Sequence, residues 1–392
     1  MSQNVYIVSA QRTPVGSFQG AFATTPAPQL GAIAIRAALA KAQIQPDSVS
    51  ECIMGEVLTA GVGQAPARQA ALAAGLANSV PCMTINKVCG SGLKAVMLGS
   101  DSIRLGNSEV VVAGGQENMT LAPHLLENTR AGYRMGHVQV MDSMIKDGLW
   151  DPYNNWHMGN AAELCVGEYK ITREEQDQFA IESYERAQKA QKDGLFKDEI
   201  AAVQVQVRRD TVTVEIDEEP GKARFDKMAE LRPAFDKAGT ITAANASKIN
   251  DGGAAVVLAS EDVVKAQGLK PMARVVAHAT FAQDPNWFTT APVGAMKKAL
   301  EMASLKTSDI GLWEINEAFS VVTMVAMKEL SINRDQVNVN GGAVAIGHPI
   351  GASGARIFTT LVHALHQRDQ KYGLASLCIG GGEAVALIVE KV

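Results

Sequence analysis

Within Asn86-Lys87-Val88-Cys89-Gly90-Ser91-Gly92-Leu93-Lys94, the run Gly90 to Lys94 is answered far along the same chain by Ala352-Ser353-Gly354-Ala355-Arg356, and that echo decides the fold. Other segments repeat at nearly the same offset. The stretch Ala38-Leu39, Ala42, Ile44, Val49 and Gly55-Glu56 runs parallel to Ala299-Leu300, Ala303, Leu305, Ile310 and Asn316-Glu317. Both copies read as an amphipathic helix, a short polar connection and a strand, over 51–54 in the first and 312–315 in the second. The buried strand Val110-Val111-Val112-Ala113-Gly114-Gly115 returns as Ser376-Leu377-Cys378-Ile379-Gly380-Gly381. Helix, strand and glycine turn repeating together point to an α/β chain made of two similar halves, each a central mixed sheet between helices.

The bulk numbers agree. A chain of 392 residues, 47% hydrophobic and 20% charged, can bury a large interior in about two or three domains. Net charge is −5 with no long basic run, which argues against a nucleic-acid partner. No apolar run reaches the about 18 residues of a membrane span, and Met1 to Ser9 lead straight into a strand without a secretory or transit pattern. Five cysteines (52, 82, 89, 165 and 378) lack CxxC or zinc spacing, so reduced thiols in the cytoplasm are expected.

Between the halves the character changes. Residues 121–170 are rich in Met, Asn, Arg and Gly and show little periodicity. Thr172-Arg173-Glu174-Glu175 is a capping box, opening a helix to about Asp193 with Gly194 as its stop. The alternation over 201–216 predicts a β-hairpin. Residues 121–249 therefore read as an insertion, of the kind that forms lids or binding surfaces. The first half comprises 1–120 plus 250–268, its strand resuming at Asn250-Asp251-Gly252-Gly253, and the second comprises 269–392.

Four places carry chemistry. Cys89 sits at a strand-to-helix corner, and the helix that opens at Gly90 should lower its pKa from the usual value of about 8.5; the alternative is an inert core thiol. His348 lies between glycines in Gly347-His348-Pro349-Ile350-Gly351, a setting for a base exposed to a cleft or for a turn histidine without a task. Cys378 stands at a second glycine corner, and its alternative is a buried strand residue. Asn316, in Glu314-Ile315-Asn316-Glu317-Ala318-Phe319, is either a helix cap or an oxyanion donor.

Taken together, Asn86-Lys87-Val88-Cys89-Gly90-Ser91-Gly92, Asn316-Glu317-Ala318-Phe319, Gly347-His348-Pro349 and Cys378-Ile379-Gly380-Gly381-Gly382 resemble the thiolase family, in particular its bacterial acetyl-CoA acetyltransferases. The likeness runs from Ser9-Ala10-Gln11-Arg12-Thr13-Pro14 to the last strand. It implies a duplicated five-layered α/β/α/β/α fold with a loop domain inserted in the first half. It also implies reversible Claisen condensation of two acetyl-CoA to acetoacetyl-CoA and coenzyme A, by a ping-pong route and without a metal or redox cofactor. On this match Cys89 is the nucleophile, His348 activates it, Cys378 is the acid/base, and Asn316 with His348 forms one oxyanion site. The backbone N–H groups of Cys89 and Gly380 form the other. Coenzyme A would lie on the inserted domain, against His157, Met158, Phe235, Ser247 and Phe319. Relatives often carry an arginine near position 220, where this chain offers Lys222 and Arg224 to the phosphates. Short-chain relatives commonly have Met-Gly after Asp284-Pro285, where Trp287 and Phe288 would here reshape the acyl pocket. A homotetramer, a dimer of dimers with Arg130, Tyr133 and Arg134 at its contacts, is implied as well. The alternatives are a degradative thiolase for longer chains, a β-ketoacyl synthase, and a non-catalytic coenzyme A- or lipid-binding scaffold.

Overall fold

A computed structural model describes residues 3–392. The first half contributes β1 (Val5–Arg12), α1 (Ala27–Ala42), β2 (Glu51–Gly55), α2 (Pro66–Ala74), β3 (Cys82–Ile85), α3 (Ser91–Arg104), β4 (Val110–Asn118) and, after a long excursion, β5 (Asn250–Ser260). The second half runs β6 (Ala273–Ala282), α4 (Ala291–Ala303), β7 (Leu312–Ile315), α5 (Ser320–Leu330), α6 (Ile350–Gln367), β8 (Tyr372–Ile379) and β9 (Glu383–Lys391).

The repeat is geometric as well as textual. Strands neighbour one another in the order β1-β5-β4-β2-β3 in the first half and β6-β9-β8-β7 in the second. Where β3 lies parallel to β2, Val337 bridges Trp313 of β7 in parallel. β1 has its register irregularity between Ile7 and Ser9, and β6 has one at the matching place, between Val275 and Ala277. The halves meet where β1 and β6 pair antiparallel at Tyr6↔Arg274 and Ile7↔Ala273, and one 10-stranded sheet results, its tenth strand the short Gly16–Ser17 beside β5.

Period-2 alternation then builds five layers. Val111 and Ala113 of β4 face inward with Leu93, Val96 and Met97 of α3 and Phe358 and Leu361 of α6, in a core that also takes Leu377, Ile379 and Leu387 of the second half. Val110 and Val112 point the other way, onto Ile35, Ala38 and Leu39 of α1 and Ala67 and Ala70 of α2. Trp313, Ile315 and Leu374 likewise meet Met296 and Ala299 of α4 and Ala326 of α5. At the centre α3 and α6 touch through the echoed glycines. A methyl group on Gly92 would stand 2.7 Å from the Ala355 nitrogen, so no larger residue permits this approach.

The chain between β4 and β5 adds no strand to this sheet. It carries the predicted helix, Arg173–Lys192, with both capping-box bonds: Glu175 N–H to Thr172 Oγ1 at 3.2 Å and Thr172 N–H to the Glu175 carboxylate at 2.7 Å. The predicted hairpin pairs Val203–Val207 with Asp210–Val214. A further helix, Met158–Tyr169, lies in the stretch of little periodicity. Its buried face is made of Ala161, Ala162, Cys165 and Val166, residues too small to stand out against two glycines in the same helix.

Candidate active site

Cys89 is presented by a strained turn. Val88, a β-branched residue, sits at φ 45°, a conformation that costs of order 1–3 kcal/mol and is held here by surrounding bonds. Val88 N–H donates to Asn86 Oδ1 at 2.9 Å, Lys87 N–H to Ser91 Oγ at 2.8 Å, and the Ser91 hydroxyl to the Val88 carbonyl at 2.7 Å. The turn delivers the thiol to the wall of a chamber of about 60 Å³ shared with His348, Cys378, Gly380, Met158, Phe288 and Phe319. This inner chamber opens into an outer one of about 450 Å³, and Leu149, His157, Ser247, Phe319, His348 and Ile350 line both. Residues from both halves and from the excursion thus converge on one narrow passage.

The thiol is not acidified. Burial pushes Cys89 up to about 12, against the pull of its own backbone N–H and that of Gly380, and the Glu117 carboxylate adds to the rise. The expectation from the helix start is thereby corrected. A helix terminus contributes about 0.3–2 kcal/mol, roughly one pKa unit, and the protein packed around this part-buried thiol outweighs it. Burial wins. It likewise drives Cys378 well above the ordinary thiol range, helped by the nearby Cys89.

His348 supplies a base of defined orientation. Gly347, at φ 116°, turns the chain so that His348 N–H donates to Asn250 Oδ1 at 2.9 Å. The Ser353 hydroxyl donates its single proton to the Pro349 carbonyl at 2.8 Å and lies 2.6 Å from His348 Nδ1. Ser353 Oγ therefore accepts from Nδ1–H, and Nε2 carries the lone pair. That Nε2 is buried and has no partner in the protein. Burial, with Arg356 nearby, lowers the His348 pKa to about 3, so the imidazole is neutral at physiological pH.

Asn316 is no helix cap. The helix after it begins at Ser320 with Phe319 in the cap position, and both amide atoms of Asn316 are buried without a protein partner. It is not among the residues that line the inner chamber. Glu117 fastens the remaining edge: its carboxylate accepts from Val57 N–H at 3.0 Å, Leu58 N–H at 3.2 Å and Gly351 N–H at 2.8 Å, tying the loop after β2 to the start of α6.

The outer chamber gathers His157, Phe235, Ser247, Phe319 and Lys222. His157 stacks on Phe235 with centroids 4.6 Å apart, and its Nδ1 caps the helix Met158–Tyr169 by accepting from Gly159 N–H at 3.1 Å. Lys222 Nζ touches Ser17 Oγ and lies 3.8 Å from the Glu219 carboxylate. Arg224 is not brought to either chamber; it faces solvent beside Asp226. Trp287 is absent from both walls too, while Phe288 is 2% exposed and packs edge-on against Phe319 at 6.3 Å. Ser353, Asn250, Glu117 and Lys248 are additions that the sequence did not single out as site residues. Lys248 lines the outer chamber, with its Nζ donating to the Ala246 carbonyl at 2.8 Å.

Comparison with known proteins accounts for this assembly. The family model described as "Thiolase, N-terminal domain" matches residues 5–262, and "Thiolase, C-terminal domain" matches 269–391. An acetyl-CoA acetyltransferase of Cupriavidus necator is 55% identical over 390 residues, covering 99% of each chain. Its counterpart from Pseudomonas aeruginosa is 50% identical over 391 residues, covering 99% of this chain and 100% of its own. Among solved structures, the Bacillus anthracis acetyl-CoA acetyltransferase superposes with a TM-score of 0.98 at 41% identity, covering 100% of this chain and 99% of its own. The Acat5 thiolase of Ascaris suum in complex with coenzyme A gives 0.95 at 44% identity, covering 100% of both chains. With both family domains matched end to end and the fold shared throughout, the chain belongs to the thiolase family.

Proposed function

We propose that this protein is an acetyl-CoA C-acetyltransferase, converting two acetyl-CoA reversibly to acetoacetyl-CoA and coenzyme A through an acetyl-Cys89 thioester. The observation that carries the reading is the single small chamber walled by Cys89, His348, Cys378 and Gly380 at the end of a wider passage. At about 60 Å³ the chamber has room for a short acyl group.

In the first half-reaction His348 Nε2 takes the Cys89 proton as the sulfur attacks the thioester carbonyl. A thiol at about 12 beside an imidazole at about 3 does not ionise at rest, so thiolate forms only as the attack proceeds. The coenzyme A thiolate leaves with the proton of Cys378, and the Cys378 thiolate and the imidazolium stabilise each other across the apolar chamber. In the second half-reaction Cys378 removes the α-proton of another acetyl-CoA. His348, with Asn316 acting through a water, holds the enolate. The enolate attacks acetyl-Cys89, whose oxyanion meets the N–H groups of Cys89 and Gly380. Cys89 then departs and recovers its proton from His348. Losing one such donor costs about 10²–10³ in rate.

Coenzyme A, as substrate and product, would follow the outer chamber along His157, Phe235 and Ser247, with Lys222 toward its phosphates. The exposed arm paired at His124–Leu125 and Met141–Asp142 carries Tyr133, Met135, Val138 and Val140 toward solvent, which supports a homotetramer that sizing in solution would check. Free thiols at all five cysteines fit a cytoplasmic home. Thiolysis of acetoacetyl-CoA against that of a long-chain 3-ketoacyl-CoA tests the substrate. A higher kcat/KM for acetoacetyl-CoA is expected; a higher value for the long chain would make the enzyme a degradative thiolase.

A further inference from the structure

We propose that Lys248 is a positioning residue, whose ammonium clasps the wall of the outer chamber to the turn that carries His348. The inference rests on the functional reading above and adds a residue to it. It starts from a bond the backbone does not make for itself. In an α-helix each N–H reaches the carbonyl four residues back. The one-turn helix Ala343–Ile346 makes two such bonds, Ile346 N–H to the Gly342 carbonyl at 2.8 Å and Gly347 N–H to the Ala343 carbonyl at 3.0 Å. The next, from His348 N–H to the Val344 carbonyl, is replaced. Gly347 at φ 116° turns the chain away, and one short segment takes both ends: Asn250 Oδ1 accepts His348 N–H at 2.9 Å, and Lys248 Nζ donates to the Val344 carbonyl at 3.3 Å. Residues 248 and 250 stand in for the missing turn of helix.

The ammonium is suited to that place. It carries three protons and accepts nothing. A second proton goes to the Ala246 carbonyl at 2.8 Å, and Nζ stands 5.6 Å from the centroid of the Tyr184 ring, within the range of a cation–π contact. Burial lowers the Lys248 pKa to about 8, and the Glu219 and Glu317 carboxylates pull it back up, so the cation persists at neutral pH. Glu317 also holds the same residue from its other side: its Oε2 accepts Val344 N–H at 3.1 Å and the Ser183 hydroxyl at 2.7 Å. Val344 is thereby gripped at both its N–H and its carbonyl, four residues ahead of the base.

The other end of the clasp is the chamber wall. Ala246, Ser247, Lys248 and Ile249 all line the outer chamber, and Ser247 and His348 line both chambers. Ser247 N–H is fixed on the Ala318 carbonyl at 3.0 Å, so the clasp spans a wall already anchored to the Asn316–Phe319 segment. Without the ammonium the turn keeps its bond to Asn250 and loses its hold on the Val344 carbonyl, and the His348 ring is free to tilt from the Cys89 thiol. A charge-assisted hydrogen bond is about twice as strong as a neutral one, which is why a neutral side chain of similar length does not replace it.

The experiment measures acetylation of Cys89 in full-length wild type, Lys248→Met, Lys248→Arg and Lys248→Ala, from acetyl-CoA and from acetyl-pantetheine, which lacks the nucleotide and its phosphates. In Lys248→Met the maximal rate should fall about tenfold on both thioesters, while Lys248→Arg keeps most of it. Ammonium chloride should restore Lys248→Ala severalfold, and tetramethylammonium chloride at equal ionic strength should not. A rise in KM for acetyl-CoA alone, absent with acetyl-pantetheine, would overturn the clasp and make Lys248 a phosphate ligand. Equal rates in Lys248→Met and Lys248→Arg, or a loss in Lys248→Ala that ammonium leaves untouched, would overturn it as well. Should Lys248→Ala fail to fold, the contrast between Met and Arg decides. Wild type that takes no acetyl group from either thioester would refute the functional reading instead. The clasp is then judged by iodoacetamide on Cys89, which should react more slowly in Lys248→Met than in wild type; equal rates would overturn it.

Discussion

Replacing Phe288 by alanine should lengthen the acyl chain the enzyme accepts. Phe288 closes the inner chamber, buried against Phe319 and sharing its wall with Cys89 and Cys378. 3-Ketohexanoyl-CoA would pass a butyryl group to Cys89, two methylenes longer than acetyl. Each buried methylene is worth about 0.8 kcal/mol, so admitting two without a clash changes relative kcat/KM by about fifteenfold. Partial collapse of Phe319 into the space reduces this, and we expect the ratio of kcat/KM for 3-ketohexanoyl-CoA over acetoacetyl-CoA to rise by about fivefold or more. The variant should also lose about 3–5 kcal/mol of stability. Phe288→Leu, which removes less packing, should show the same trend in a sturdier protein. An unchanged ratio in both variants, or equal gains for both substrates, would refute the assignment of Phe288 as the wall of the acyl pocket.

Three more outcomes follow from the geometry. Ser353→Ala leaves Nδ1–H of His348 without its acceptor and lets the other tautomer form; a hydrogen bond of this kind contributes about 0.5–1.5 kcal/mol, so kcat should fall about tenfold with KM for acetyl-CoA nearly unchanged. A rise in KM at constant kcat would contradict the tautomer argument. Because burial raises the Cys89 thiol to about 12, its alkylation by iodoacetamide, followed on the Cys89 peptide, should keep increasing with pH beyond 9; a plateau at or below pH 7 would mean an acidified thiol instead. Lys222→Ala should raise KM for coenzyme A severalfold, more at low salt than at high, while Arg224→Ala should leave it unchanged. The reverse pattern would exchange their roles.

The duplication was legible because glycines, strands and helices kept one spacing, and Gly92 and Gly354 turn out to let α3 and α6 approach each other closely. The capping box at Thr172 and the hairpin over 201–216 were equally plain, since each depends on neighbours in sequence. The helix Met158–Tyr169 was not, because its buried face is built of small residues. Chemistry that depends on enclosure was hidden too. A helix start beside Cys89 can be read from the chain, but the packing that outweighs it comes from segments as distant as Leu58, Met144 and Ile350. Ser353 reads as an ordinary residue in the first turn of α6 until its hydroxyl is seen between Pro349 and His348. Asn250 and Glu117 are likewise silent in sequence, since what they hold lies far along the chain. Resemblance named Arg224 and Lys222 together, and only geometry separates them.

The central claim is an acetyl group carried on Cys89. Mixing the protein with acetyl-CoA, quenching in acid and mapping peptides by mass should place one acetyl group on the peptide containing Cys89, discharged by added coenzyme A and absent in Cys89→Ala. Acetylation that persists in Cys89→Ala, or an acetyl group found on another residue of the wild-type protein, would contradict the account.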